Sequence, residues 1–322
     1  MDIRKYLGQP FLDDSFPLPL EFPFTTRQAK HHGVSPENLT VLCREGLLRR
    51  MLRGVYVAAQ AGDSIPLRAE ALRLVVPDDC VVCDRHAGWL HGATMVLQPN
   101  EHLELRPISV FRPSGHGRLR NGLTDSGERN LTREDVVELH GLRVTTPVRT
   151  AWDLGRVRYT EPSISALDAM LRLGAFTKEE LLAGVERFRG MRWVTTLRAM
   201  APVADGRSES PGESVLRLRW IECQLPTPTP QLEVFRGESF LARLDLANLE
   251  IRFAAEYDGA EWHSSPEQQA HDRERRSQVS DEGWLVRPFT SANLYGRQAN
   301  CAELLISGAI EARKRFGPRL AS

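Results

Sequence analysis

The chain has 322 residues, 41% hydrophobic and 26% charged, and its 42 basic residues are balanced by 42 acidic ones. This is the composition of a soluble globular protein with room for two or three domains, and it excludes an overall field that gathers nucleic acid, so any such affinity has to come from local patches. No window is apolar over the length of a membrane span, and the N-terminus lacks the charged-then-apolar layout of a signal peptide, which together predict a cytosolic protein without membrane contact.

The first two dozen residues hold Pro10, Pro17, Pro19 and Pro23 among aromatics and read as an arm without regular structure. Thr25 to Gly33 then reads as a short helix ended by glycine. Ser35-Pro36 caps a second helix that carries Leu39 and Leu42 and ends at Gly46. Leu47 to Val57 follows as two short strands around Arg53-Gly54. Two short helices and a basic hairpin are the parts of a winged helix-turn-helix, predicted over residues 1–60 with the arm. Arg44, Arg49, Arg50 and Arg53 stand there against a single nearby acid, Glu45, and guanidinium groups suit phosphate oxygens through charge and bidentate geometry. Helix-turn-helix units also serve as protein-interaction surfaces.

Cys80-Val-Val-Cys83 with His86 and His91 nearby has the residue types of a zinc site. The set is compressed and lacks a second cysteine pair, so a buried strand carrying small thiols is the better account. Five cysteines, an odd number, do not suggest a disulfide framework. Over roughly residues 24–155 the chain resembles the AbiEi-type antitoxins. The resemblance is carried by Thr26-Arg-Gln-Ala, Gly46-Leu-Leu-Arg-Arg with Arg53-Gly-Val-Tyr, His86-Ala-Gly-Trp-Leu-His-Gly92, and Thr145-Thr-Pro147-Val-Arg149-Thr150-Ala-Trp-Asp153-Leu. It implies a DNA-binding winged helix followed by an α/β domain, taken as residues 61–160, and a role as transcriptional repressor with a toxin as partner. Nothing in this half looks catalytic.

Residues 161–205 read as a helical spacer, with Thr177 an N-cap and Gly190 a stop, and turn formers from Asp205 to Gly212 mark a boundary. An amphipathic helix follows from Glu213, with Val215, Leu218 and Ile221 on one stripe. Two apolar strands come next, one with Asp245 in its middle and one with Glu256 and Asp258, whose two-residue spacing puts both carboxylates on one face. Acids in an apolar strand are costly unless paired, protonated or bound to metal, and converging carboxylates suit a hard cation such as Mg²⁺ or Mn²⁺. The plainer account is an edge strand with one solvated polar face. His263 precedes Ser264-Ser-Pro266, a helix start, and that helix carries His271, Asp272, Arg273 and Arg276 before a last strand with Arg287.

Over roughly residues 206–295 this order resembles the PD-(D/E)XK nucleases near the very-short-patch-repair (Vsr-like) endonucleases. The resemblance is carried by Glu213, Asp245, Glu256, Asp258-Gly, His263 and Arg287. It implies a nuclease domain over 206–322 that cleaves DNA phosphodiesters in repair or defence. Asp245 and Glu256 would then be the ligands of Mg²⁺ or Mn²⁺ and Glu213 an outer one, with Arg276 or Arg287 on the phosphate. The usual motif lysine is replaced by Asp258, and the chain's four lysines, Lys5, Lys30, Lys178 and Lys314, all lie elsewhere. His263, with an ordinary pKa of about 6.5, is then the candidate general base. The expectation is therefore an α+β multidomain chain: winged helix-turn-helix, small α/β domain, helical spacer, and a C-terminal α/β PD-(D/E)XK domain with a mixed sheet. Its leading function is a metal-dependent DNA nuclease with a DNA, toxin or repair partner. The alternative is a DNA-binding antitoxin or repressor with a catalytically inactive nuclease fold, which the missing lysine favours; an RNA-directed enzyme is the third.

Overall fold

In the computed structural model the structure describes residues 3–93, 96, 108–117, 119, 124–259 and 277–316. The chain is mixed α+β and forms two compact units, Met1–Leu154 and Gly155–Ser322. Among the described residues no helix is long and apolar enough to cross a membrane.

The first unit begins with β1 (Phe24–Thr25), α1 (Thr26–His31), α2 (Pro36–Arg44), β2 (Leu48–Leu52) and β3 (Val55–Ala58), the strands pairing antiparallel in the order β1-β3-β2. Local chemistry accounts for each boundary. The Thr25 hydroxyl accepts from the Gln28 N–H at 3.1 Å, and the Gln28 side-chain Oε1 accepts from the Thr25 N–H at 2.7 Å, a reciprocal cap at the start of α1. The Ser35 hydroxyl caps α2 by accepting from the Asn38 N–H, with Pro36 in the first turn. Gly54, at φ +77°, turns the chain between β2 and β3. The proline-rich arm contains no helix or strand over residues 3–23, yet it is not loose. Tyr6, Leu12, Phe16 and Leu18 are buried with Leu39, Leu42 and Leu47. A run of rings, Tyr6–Phe16–Phe24–Tyr56, with centroids 5.5 to 6.3 Å apart, ties the arm to β3.

The rest of this unit comprises α3 (Ile65–Arg73), β4 (Val81–Val82), α4 (Asp84–Leu90), β5 (Ile108–Pro113), β6 (Thr124–Arg129), β7 (Val136–Leu139), β8 (Leu142–Thr145) and α5 (Pro147–Gly155), which runs one residue past the boundary. Its sheet has the order β6-β5-β4-β8-β7, with β4–β8 and β5–β6 parallel and the other pairs antiparallel. Cys80 and Cys83 flank β4 and are buried, as the strand reading expects, and burial pushes the Cys83 thiol far up. Beneath α5 lies an ion network. Arg129 bonds Asp84 at 2.6 and 3.0 Å and Asp153 at 3.0 Å; Arg149 bonds Asp153 at 2.9 Å, Asp135 at 2.7 Å and the Asn130 carbonyl at 3.1 Å. The Thr145–Leu154 motif is thus a buried electrostatic clasp between α4, β6 and α5.

The second unit contains α6 (Thr160–Arg172), α7 (Lys178–Ala183), α8 (Val194–Met200), α9 (Pro211–Glu222), β9 (Thr229–Arg236), β10 (Ser239–Asn248), β11 (Phe253–Tyr257), β12 (Leu285–Phe289), α10 (Ser291–Leu294) and α11 (Cys301–Phe316). β9, β10 and β11 form an antiparallel meander and β12 adds parallel to β11, in the order β12-β11-β10-β9. One face of the sheet is covered through Val215, Leu216, Trp220, Phe253, Leu305 and Ala309 of α9, β11 and α11. The other buries Val234, Ala242, Leu244, Ala254, Val279 and Trp284. The helices read as a spacer belong to this same compact unit. Asp168 of α6 is fully buried, ion-paired to Arg217 of α9 at 2.5 Å, and accepts the Asp205 N–H at 2.7 Å. Such a pair holds the two helices in register more than it stabilises them.

Candidate nucleic-acid interface and acidic cluster

Two places in the chain gather chemistry, one on the helices and hairpin of the first unit and one at the end of the sheet in the second.

Along α1 and α2 the inward positions Ala29, Leu39 and Leu42 are buried, which turns Arg27, Lys30, His31, Glu37, Thr40 and Arg44 outward. Arg53, beside the Gly54 turn, is also exposed. The four expected arginines divide. Arg44 is exposed and pairs with Glu45 at 3.1 Å, a contact that solvent makes weak. Arg49 is half-buried and donates to the Ala61 carbonyl at 3.0 Å. Arg50 is half-buried too, with its guanidinium 5.5 Å from the Tyr56 ring centroid. Both therefore brace the hairpin, while Arg53 and Arg44 face solvent. Sequence reasoning passed over Arg27 and Lys30, although their spacing on α1 opposite Ala29 was the signal that could have found them.

At the end of the sheet, the β10–β11 register carried one step past Leu246↔Ala255 sets Asp245 opposite Glu256. Glu256 is 9% exposed, and Asp245 accepts the Tyr257 N–H at 2.9 Å. Leu244 and Leu246 of β10 pack into opposite cores although two residues apart, so the strand's alternation shifts at Asp245; across from it Gln231 of β9 takes φ +54°. Glu213, in the first turn of α9, accepts the Glu209 N–H at 2.8 Å and the Gln231 side-chain N–H at 2.9 Å. Burial raises its pKa and the neighbouring Asp245 charge raises it further. The other amide atom of Gln231, Oε1, is buried without a hydrogen bond.

The remaining expected residues lie elsewhere. Asp258 is exposed beyond the end of β11, its own N–H donating to the Phe289 carbonyl at 2.7 Å. Arg287 pairs across the sheet with Ala255 on the side covered by α9 and α11, and bonds Leu304 O, Ser307 Oγ and Glu311 there at 2.7 to 2.9 Å. Regular alternation in β11 puts Glu256 on the other face. Arg287 thus anchors α11 and does not approach Glu256. His263 and Arg276 lie outside the described residues. Among the described residues no group of three or more His, Cys, Asp or Glu side chains is placed to hold a metal ion; Glu213 and Asp245 accept bonds from backbone and amide N–H groups.

Comparison with known family models places two matches between residues 22 and 202. Residues 22–59 match the family described as "Transcriptional regulator, AbiEi antitoxin", and residues 80–202 match the "AbiEi antitoxin C-terminal domain". Two relatives come from Mycobacterium tuberculosis, the uncharacterized protein MT2308 of strain CDC 1551 / Oshkosh and the uncharacterized protein Rv2248 of strain ATCC 25618 / H37Rv. Each is 30% identical over 253 residues, 79% of this chain and 89% of the relative. These families are regulators and antitoxins, which overturns the expectation of a Mg²⁺-dependent deoxyribonuclease; the fusion to a Vsr-like nuclease is not supported. The AbiEi resemblance stands. The chain belongs to one family with the two mycobacterial proteins and carries segments that match AbiEi antitoxin domains.

Proposed function

We propose that the protein is a DNA-binding transcriptional regulator that acts as an antitoxin beside a toxin partner. Residues 24–58 serve as a winged helix-turn-helix: α2 is the helix presented to the major groove and the β2–β3 hairpin is the wing. The single observation that carries this reading is that the family-matched segment 22–59 coincides with the helix pair and hairpin whose outward face holds Arg27, Lys30, Arg44 and Arg53. In a chain of zero formal charge, such a local cationic face supplies the phosphate contacts that fix a protein on duplex DNA. Arg49 and Arg50 contribute indirectly by stiffening the wing. The C-terminal sheet serves as a structural and partner-binding body without turnover, and Asp245, Glu256 and Glu213 are its polar end.

The experiment is fluorescence anisotropy in EDTA with a duplex taken from upstream of the protein's own reading frame, titrated over salt. Replacing Arg27, Lys30 and Arg53 by Gln should lower the log–log salt slope by about 3, near one unit for each phosphate no longer neutralised. Replacing Arg49 and Arg50 should change the slope by less. Equal slopes for the wild type and the triple variant would remove this face from DNA binding.

A further inference from the structure

A second local imbalance of charge lies within the second unit. Over residues 155–159 and 184–198 the chain carries Arg156, Arg158, Arg187, Arg189, Arg192 and Arg198, six arginines, against one acid, Glu186. The two stretches are neighbours in space. Arg156 donates to the Arg192 carbonyl at 3.4 Å, and its guanidinium lies 5.1 Å from the Phe188 ring centroid. Glu186 is bonded to Arg198 at 3.0 Å, and among the described residues Arg158, Arg189 and Arg192 pair with no carboxylate. A solvated face ordinarily mixes the two signs; this one does not.

Flat rings are interleaved with these cations. Tyr159 is 58% exposed, with the Arg158 guanidinium 5.1 Å from its centroid. Trp193 is half-buried, with Arg192 at 4.7 Å, and Met191 beside it is 43% exposed. Trp193 also holds φ +64° and ψ 13°. That left-handed conformation suits glycine, and a bulky residue keeps it only where its surroundings enforce it, a pattern that gathers at ligand contacts. Cations that can follow a phosphate chain, alternating with solvent-accessible rings, are the equipment of a single-strand binder. In a duplex the base faces are covered by their neighbours, so these rings would have nothing to stack on.

We propose that the face formed by residues 156–159 and 187–193 binds single-stranded nucleic acid, with Arg158, Arg189 and Arg192 on the phosphates and Tyr159 and Trp193 stacking on unpaired bases. This site shares no residue with the duplex-binding face, and the proposal does not rest on that reading. The test uses the full chain and labelled 12-nucleotide strands of one sequence, as DNA and as RNA, with the matching duplex, read by anisotropy. Trp193→Gly removes a ring at a position whose backbone glycine adopts without strain, so its fold is retained; circular dichroism and the melting temperature check this. The expected result is that single strands bind, and that Trp193→Gly and Tyr159→Ala each weaken binding by about tenfold. Replacing Arg158, Arg189 and Arg192 by Gln should lower the single-strand salt slope by about 2. Replacing Lys30 and Arg53 should leave single-strand binding unchanged; the tighter of the two strands identifies the ligand as RNA or DNA. Failure of the wild type to bind either strand, wild-type affinity in both ring variants, or loss of duplex binding alone in the arginine variant would each overturn the proposal. Binding of the wild type to its upstream duplex is a separate arm, so the two readings fail independently.

Discussion

Lowering the pH should destabilise the first unit measurably through one residue. His86 is 7% exposed, and its Nδ1 accepts the Ser109 N–H at 3.1 Å, which ties α4 to β5 and requires the neutral ring. Burial pushes its pKa down to about 3, with the adjacent Arg85 charge acting in the same direction. The unfolded chain takes up a proton near pH 6.5 that the folded chain refuses, so between those values the unfolded state binds more protons and stability falls as the pH falls. From pH 7.5 to 5.5, one unit below the unfolded pKa, the loss assigned to this group is about 1.4 kcal/mol, the worth of one pKa unit. His86→Asn keeps an acceptor near Nδ1 and removes the titration. Urea denaturation followed by tryptophan fluorescence, on both proteins at both pH values, isolates the term as a difference of differences. All other groups cancel, including His91, whose Nε2 bonds the Thr145 carbonyl at 2.7 Å. If His86→Asn loses as much stability over this range as the wild type, the ring is not held neutral in the fold and the reasoning fails.

Three further perturbations follow from the packing. Arg149→Met leaves Asp135 and Asp153, both buried, short of a cation, and should cost the first unit about 3–5 kcal/mol in urea denaturation; a loss below that of an ordinary surface change would mean the network relaxes onto Arg129. Gly212→Ala puts a Cβ 2.1 Å from the Tyr257 ring at the start of α9, and calorimetry should show the second unit weakened by about 1–3 kcal/mol; an unshifted transition would show that the ring swings clear. Glu213→Gln should stabilise near neutral pH. The folded pKa is raised, so the wild type loses stability as the pH rises from about 4.5 through that raised value, and the variant does not. The gain should vanish below pH 4, and a gain that persists there would assign the effect to packing.

Much of the first unit is legible because its boundaries are written locally. Thr25, Ser35-Pro36 and Gly54 act within four residues of themselves, and each cap or turn stands where the residue type places it. The arm shows the limit of such reading. Its prolines forbid regular structure correctly, but nothing near Tyr6 or Phe16 announces Phe24 and Tyr56 as ring partners. The same holds for Arg149 and Asp153, whose clasp depends on Asp84, Arg129 and Asp135 from elements remote in sequence. At the acidic cluster the opposition of Asp245 and Glu256 follows from two adjacent strands. Its chemical meaning does not follow, because carboxylates gathered for a cation and carboxylates held by N–H groups share one spacing. The bonds from Glu209, Gln231 and Tyr257 exist only in the fold. The nuclease reading gave those acids priority over the AbiEi motifs, and the family matches fall on the motifs.

The central claim is tested most directly by incubating the full-length protein with the duplex upstream of its own reading frame, once in EDTA and once in Mn²⁺, and following binding and strand integrity together. The account predicts saturable binding in EDTA that weakens when Arg27, Lys30 and Arg53 are replaced, with the DNA intact in either condition. Cleavage in Mn²⁺ that disappears in Asp245→Asn and Glu256→Gln, or a wild type that binds this duplex no better than an unrelated one, would contradict it.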